Sequence, residues 1–232
     1  IEGPKWCGKT WTSSHHSNSE FLIGDPANNF QNRKLAEMSP SLVLEGETPR
    51  LLDEWQEVPP IWDAVRYTVD RRAEKGQFIL TGSSTPKRKG VLHSGAGRIG
   101  KLRMRTMSLY ESGESSGAVS LEDLCNGKLT PALTGEVDLR DLANYTVRGG
   151  WPGNLNVAQE DASLLPQSYL DAILDDDSQR IDDKKYDVEK MRLLLHSLAR
   201  NESTTATKKK LLNDIREFDD ETIDADTVTT YL

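Results

Sequence analysis

The chain has 232 residues, with 29 Lys and Arg against 37 Asp and Glu for a net charge of −8, and is 36% hydrophobic. This length allows one large domain or two small ones, and the composition is that of a polar globular chain rather than a fibrous one. The acidic balance disfavours a non-specific grip on nucleic acid by the chain as a whole, and no run approaches the roughly 20 apolar residues a spanning helix needs.

From residue 1 to about residue 83, short apolar runs alternate with helical stretches, the pattern of βαβ units around a parallel sheet. At its head, Gly3-Pro4-Lys5-Trp6-Cys7-Gly8-Lys9-Thr10 satisfies GxxxxGK[ST] at every fixed position. That spacing lets successive backbone N–H groups wrap around the β- and γ-phosphates of a nucleotide, and glycine permits the close approach. Lys9 is expected to neutralise phosphate charge and Thr10 to ligate Mg²⁺ through its hydroxyl. A helix starting at Lys9 adds its positive N-terminal dipole. All eight loop residues, Gly3, Pro4, Lys5, Trp6, Cys7, Gly8, Lys9 and Thr10, are thus candidate ATP contacts.

Strands are predicted at residues 20–23, more weakly at 42–44, and at 50–53 and 77–81. A helix is predicted over 60–73, because Ile61, Val65, Val69 and Ala73 recur at spacings of four, and Pro59 and Pro60 suit its first turn. The third run ends in Asp53-Glu54. A carboxylate at the carboxyl end of a strand beside a phosphate loop reaches the Mg²⁺ sphere, and a second acidic residue can polarise the attacking water. Asp53 takes the first role and Glu54 the second. The fourth run ends in Thr81, Gly82, Ser83 and Ser84, where a hydroxyl from Thr81 or Ser83 can touch the γ-phosphate or orient the water; turn capping serves equally for either alone.

Residues 83–102, rich in Gly, Ser, Lys and Arg, read as a surface loop. Ser120 and Asp123 resemble a capping pair before a short helix. Further helices are expected over 139–145, ahead of Gly149 and Gly150, and over 163–174 and 188–199. Asp175–Asp177 reads as a solvated face. The final text reads as two short helices, the second capped by Thr222, forming a helix-turn-helix or the first part of a winged helix. Cys7 and Cys125 make no disulfide framework or zinc knuckle, and the four histidines lack metal-ligand spacing. With no signal segment, the expectation is a cytoplasmic protein without membrane contact.

The blocks "GPKWCGKT", "LLDEWQEVPPIWDAVRYTVD", "FILTGSS", "HSGAGRI", "MRTMSLYESGESSG", "VRGGWPG" and "LARN" run in order along the chain. Together they resemble the bacterial and archaeal AAA+-type ATPases that carry a C-terminal domain of unknown function, often described as nuclease-like. Thr106 departs from the family, which usually has proline there. The resemblance implies an α/β fold, a P-loop NTPase (AAA+-like) parallel sheet flanked by helices over residues 1–162, then a small helical, winged-helix-like domain over 163–232. Only Ile1 and Glu2 precede the loop, so the chain is expected to be the middle of a longer one that lacks the start of its first strand and a separate C-terminal domain. Arg98 of "GAGRI" and Arg148 of "VRGG" match recurrent arginines. Either could complete a nucleotide site in cis or across a subunit interface of a homo-oligomer, or pair with an acidic neighbour.

The functional expectation is an ATP-binding protein, with Mg²⁺-dependent hydrolysis to ADP coupled to a conformational change; Lys9, Glu54 and Arg98 are its catalytic residues. The alternative is an ATP-dependent switch or DNA-binding regulator with little turnover, in which Lys208–Lys210 contact nucleic acid phosphates. A small-molecule kinase shares the loop but fits the Asp-Glu pair poorly.

Overall fold

Parallel pairing of four short strands brings four distant segments of chain to one edge. In the computed structural model, residues 1–83, 95–128, 131–133, 135–177, 186–219 and 223–232 are described. The strands are β1 (Glu2–Gly3), β2 (Ser19–Leu22), β3 (Arg50–Asp53) and β4 (Phe78–Ser83), in the order β1-β4-β3-β2. All neighbours are parallel. Residues 102–104 flank β1 on its other side: Glu2 N donates to Leu102 O at 2.9 Å and Met104 N to Glu2 O at 2.8 Å. Strand ends that share a direction put their carboxyl termini together, the edge where ligands bind in open α/β sheets.

The helices around this sheet are α1 (Lys9–His15), α2 (Ala27–Met38) and α3 (Pro60–Arg72). β3 is buried along Arg50–Leu52, as a strand covered on both faces should be. Helix α3 places Ile61 and Val65 on the predicted face against Leu52, Leu80, Val58, Trp55, Ile23 and Val43. Each such buried aliphatic side chain stabilises by about 1.5–3 kcal/mol relative to exposure. Pro60 stands in the first turn, and Ala73 ends the helix in the left-handed region at φ 55°.

One expectation fails here and one element goes unpredicted. Residues 42–44 are a 3₁₀ turn, not a strand. Val43 and Leu44 are buried in the core, and the Val43 carbonyl accepts from Arg50 Nε at 2.8 Å instead of from a strand partner. Helix α2 gave no sequence signal because only Ala36 of its twelve residues is buried, and Asn28, Asn29 and Phe30 have left-handed backbones.

Beyond the sheet come α4 (Leu121–Cys125), α5 (Leu139–Arg148) and α6 (Leu164–Ala172). Ser120 caps α4 by accepting from Asp123 N, as predicted. Asp138 and Asp141 form a reciprocal capping box on α5, which Gly149 terminates.

The chain divides into two units, residues 1–166 and 167–232. In the second, α6 continues into a π-helical turn, Ile173–Asp177, and three helices follow: α7 (Val188–Arg200), α8 (Lys208–Phe218) and α9 (Ala225–Tyr231). Leu194, Leu211, Ile215, Ile223 and Val228 form its core. Arg200 bridges Asp214 and Asp219, and Tyr231 Oη accepts from Asp187 N at 2.9 Å. Asp224 caps α9; the proposed cap Thr222 lies outside the described residues, as do Ser84 and most of the predicted 83–102 loop. No strand is present among the described residues of this unit. Among the described residues, no helix is long and apolar enough to cross a membrane.

Candidate functional site

The segment joining β1 to α1 is the Gly3–Thr10 loop. Gly8 takes φ 95°, which permits a turn straight into the helix that a side chain would strain. Lys9, buried at 8% exposure, folds back beneath the loop, its Nζ donating to Gly3 O at 3.0 Å and to Pro4 O at 2.7 Å. An ammonium held by neutral carbonyls is not neutralised by them. Cys7 is buried beneath the loop, while Trp6 stands half exposed with φ 62°.

Two of the predicted side chains, Thr10 and Thr81, converge on a third, the Asp53 carboxylate. Thr10 Oγ1 donates toward Asp53 at 3.1 Å from Oδ1 and 3.2 Å from Oδ2. The Thr81 hydroxyl also donates to Asp53 Oδ1. This follows from topology: β4 inserts between β1 and β3, and its register sets Thr81 opposite Asp53. The same strand pairs Ser83 with Gly3, placing the Ser83 backbone beside the loop; the Ser83 side chain is outside the described set.

Glu54 follows Asp53 with φ 55° and ψ 43°, a left-handed backbone that costs a non-glycine residue about 1–2 kcal/mol. This turns the chain sharply at the strand end into the 3₁₀ turn Trp55–Glu57. Within that turn, Gln56 Nε2 donates to Glu54 Oε2. Gln56 was not singled out by the sequence; its position two residues beyond Glu54 was the available signal. Trp55 is buried and stacks on Trp62 of α3 with ring centroids 4.8 Å apart, which anchors the turn.

The arginines lie elsewhere. Arg98 Nε pairs with Asp70 Oδ1 at 2.8 Å and is about half exposed. Asp70 is in the last turns of α3, which runs back from the carboxyl edge toward the start of β4, so within the chain Arg98 sits away from Asp53 and Glu54. Asp70, through its hydrogen bond and its charge, raises the Arg98 pKa further. Arg148 pairs with Glu114 in a largely shielded contact and also donates to Ser112 Oγ at 3.4 Å. The Arg148 and Ser112 hydrogen bonds lower Glu114 to about 2.

A cavity of about 870 Å³ is lined by Trp55, Trp62, Val65, Val69, Phe78 and Ile99 among others. It includes none of the loop residues Gly3–Thr10.

Residues 1–113 match a family model described as an AAA domain, and residues 139–232 match a domain of unknown function (DUF8612). The first match supports an AAA-type ATPase family and with it nucleotide binding of the ATPase type. No curated protein and no solved structure matches the chain.

Proposed function

We propose that the chain binds ATP with Mg²⁺ on the Gly3–Thr10 loop and hydrolyses it to ADP. The observation that supports this most is the convergence of the Thr10 and Thr81 hydroxyls on the Asp53 carboxylate beside the loop. The residues present suit the group. Thr10 and Asp53 are hard oxygen donors of the kind magnesium prefers, and the buried Lys9 ammonium is held by carbonyls that phosphate oxygens can replace. Bound magnesium supplies charge neutralisation on the phosphoryl oxygens.

The remaining work belongs to the chain. Lys9 holds phosphate charge in the loop, Thr10 and Asp53 hold the metal, and Thr81 fixes the Asp53 carboxylate. Glu54 accepts a proton from the attacking water as the water oxygen bonds to the γ-phosphorus and the bond from that phosphorus to the bridging oxygen breaks, the oxygen leaving on ADP. Arg98, committed to Asp70, enters only across a subunit interface of a homo-oligomer. We read residues 1–162 as the ATPase core of a cytoplasmic protein and 163–232 as a winged-helix-like segment moved by turnover.

Glu54→Gln keeps the shape and removes the base. The expected result is retained ATP binding with turnover reduced by about 10²–10⁴-fold. Parent and variant rates that are equal and near zero, with normal ATP binding, would overturn hydrolysis in favour of an ATP-dependent switch.

A further inference from the structure

Glu54 is joined by a side chain with no role in the reading above. Gln56 Nε2 donates to Glu54 Oε2, while Gln56 Oε1 is buried and accepts no hydrogen bond. The amide is wedged over Gly82 at the end of β4: a Cβ built on Gly82 would overlap Gln56 Oε1 and Cδ and stand 3.4 Å from Trp55 Nε1. Gly82 is in an extended strand, so an added methyl would strain no backbone; it would meet the end of the Gln56 side chain, which would have to move. Gly82 adjoins Thr81, whose hydroxyl meets Asp53. One strand end therefore touches the metal-side carboxylate through Thr81 and the support of Glu54 through Gly82.

We propose that Gln56 is a positioning residue that fixes the Glu54 carboxylate, and that Gly82 keeps open the space Gln56 needs to do so. This rests on the hydrolytic role of Glu54 proposed above. With Oε2 engaged by the Gln56 amide, the carboxylate is held in one orientation and Oε1 is left to accept the proton of water. A freely rotating carboxylate adopts that orientation only part of the time, so loss of the anchor lowers the rate of the chemical step and leaves ATP affinity alone. The amide persists with one buried polar atom unsatisfied, an arrangement with no packing advantage over methionine of similar length.

The test uses the full chain. Gln56→Met and Gln56→Ala should lower kcat by about ten- to a hundredfold with KM and the Kd of a fluorescent ATP analogue unchanged. Gly82→Ala should lower kcat to the same extent. In the Gln56→Ala/Gly82→Ala double variant the effects should not add, because truncating the glutamine side chain vacates the space that the methyl group added on β4 enters. Unchanged or raised kcat in the Gln56 variants, additive losses in the double variant, or kcat falling together with nucleotide affinity would overturn the proposal. A second readout is independent of turnover: with ¹⁵N-glutamine labelling, the Gln56 side-chain amide should be shifted and slow to exchange in the parent, and lose both properties in Glu54→Ala. An amide indifferent to Glu54→Ala overturns the positioning role even if the chain hydrolyses ATP. A shifted amide in a chain that binds but does not hydrolyse ATP overturns only the hydrolytic reading of Glu54.

Discussion

Asp53 and Thr81 face one another at the carboxyl ends of the two central strands, and the Thr81 hydroxyl donates to Asp53 Oδ1. Thr81 is fully buried, so its hydroxyl has little access to water and is committed to the carboxylate. A hydrogen bond to a charged group contributes about 1.5–3 kcal/mol. Thr81→Val keeps the β-branched shape and removes the donor, and should slow ATP turnover by roughly ten- to a hundredfold. Thr81→Ser should restore most of it. Steady-state rates for the three proteins check this; a valine variant at the parent rate removes Thr81 from the hydrolytic site.

Arg98 tests whether assembly matters. Its guanidinium pairs with Asp70 at an exposed position, where water screens the pair and it adds little to stability. In dilute protein, Arg98→Ala should therefore leave both melting temperature and turnover near the parent values. At concentrations where the chain self-associates, the parent should gain specific activity and the variant should not. Turnover measured across a dilution series, beside light scattering, separates the two; a parent whose specific activity is flat while it assembles rules out a shared site.

Much of this site is legible in the sequence because its parts are local. The loop is eight consecutive residues, Asp53 and Glu54 close a short apolar run, and Thr81 closes another. The cap at Ser120 and the apolar face of α3 are likewise set within one or two helical turns. What the sequence hides is non-local. Nothing in residues 77–83 states that β4 inserts between β1 and β3, the arrangement that makes Asp53 and Thr81 neighbours. The same insertion brings Gly82 under Gln56, a proximity across 26 residues that neither side of the pair announces. Leu42–Leu44 has the apolar character of a strand, but tertiary context overrode it: the side chains fill the core and Arg50 takes the Val43 carbonyl. Arg98 looks like a catalytic arginine in text, and only the course of α3 shows that its partner is Asp70.

The packing of α3 governs the stability of the sheet unit, since it covers the face of β3 and β4. Ile61 is fully buried against that face, whereas Tyr67 on the same helix is 58% exposed. Ile61→Ala should destabilise by about 2–5 kcal/mol through lost contact and an unfilled cavity. Tyr67→Ala should stay within about 0.5 kcal/mol. Urea unfolding followed by tryptophan fluorescence reports on this unit, because Trp55 lies in its core and the partly buried Trp62 packs against it. Equal shifts for both variants would contradict the described face.

Glu114 and Arg148 set an acid limit on the same unit. Arg148 and Ser112 hold the Glu114 pKa at about 2, whereas an unfolded chain gives glutamate a value near about 4.3. The folded state thus binds the proton more weakly than the unfolded state. Its stabilisation is fully present above about pH 4.5 and is lost progressively as pH falls toward 2. The two side chains keep 15% and 17% of their surface exposed, and the water that reaches them screens the pair in part, so the contribution is on the order of 1 kcal/mol rather than the full shift. Arg148 stays charged throughout and adds no slope in this window. Glu114→Gln should therefore unfold at lower urea than the parent at pH 7, and the difference should shrink at pH 3. Arg148→Met should be worse than Glu114→Gln at pH 7, because it leaves a shielded carboxylate without its cation. A Glu114→Gln deficit that stays constant from pH 7 to pH 3 would show that the pair stabilises the fold through packing and not through charge.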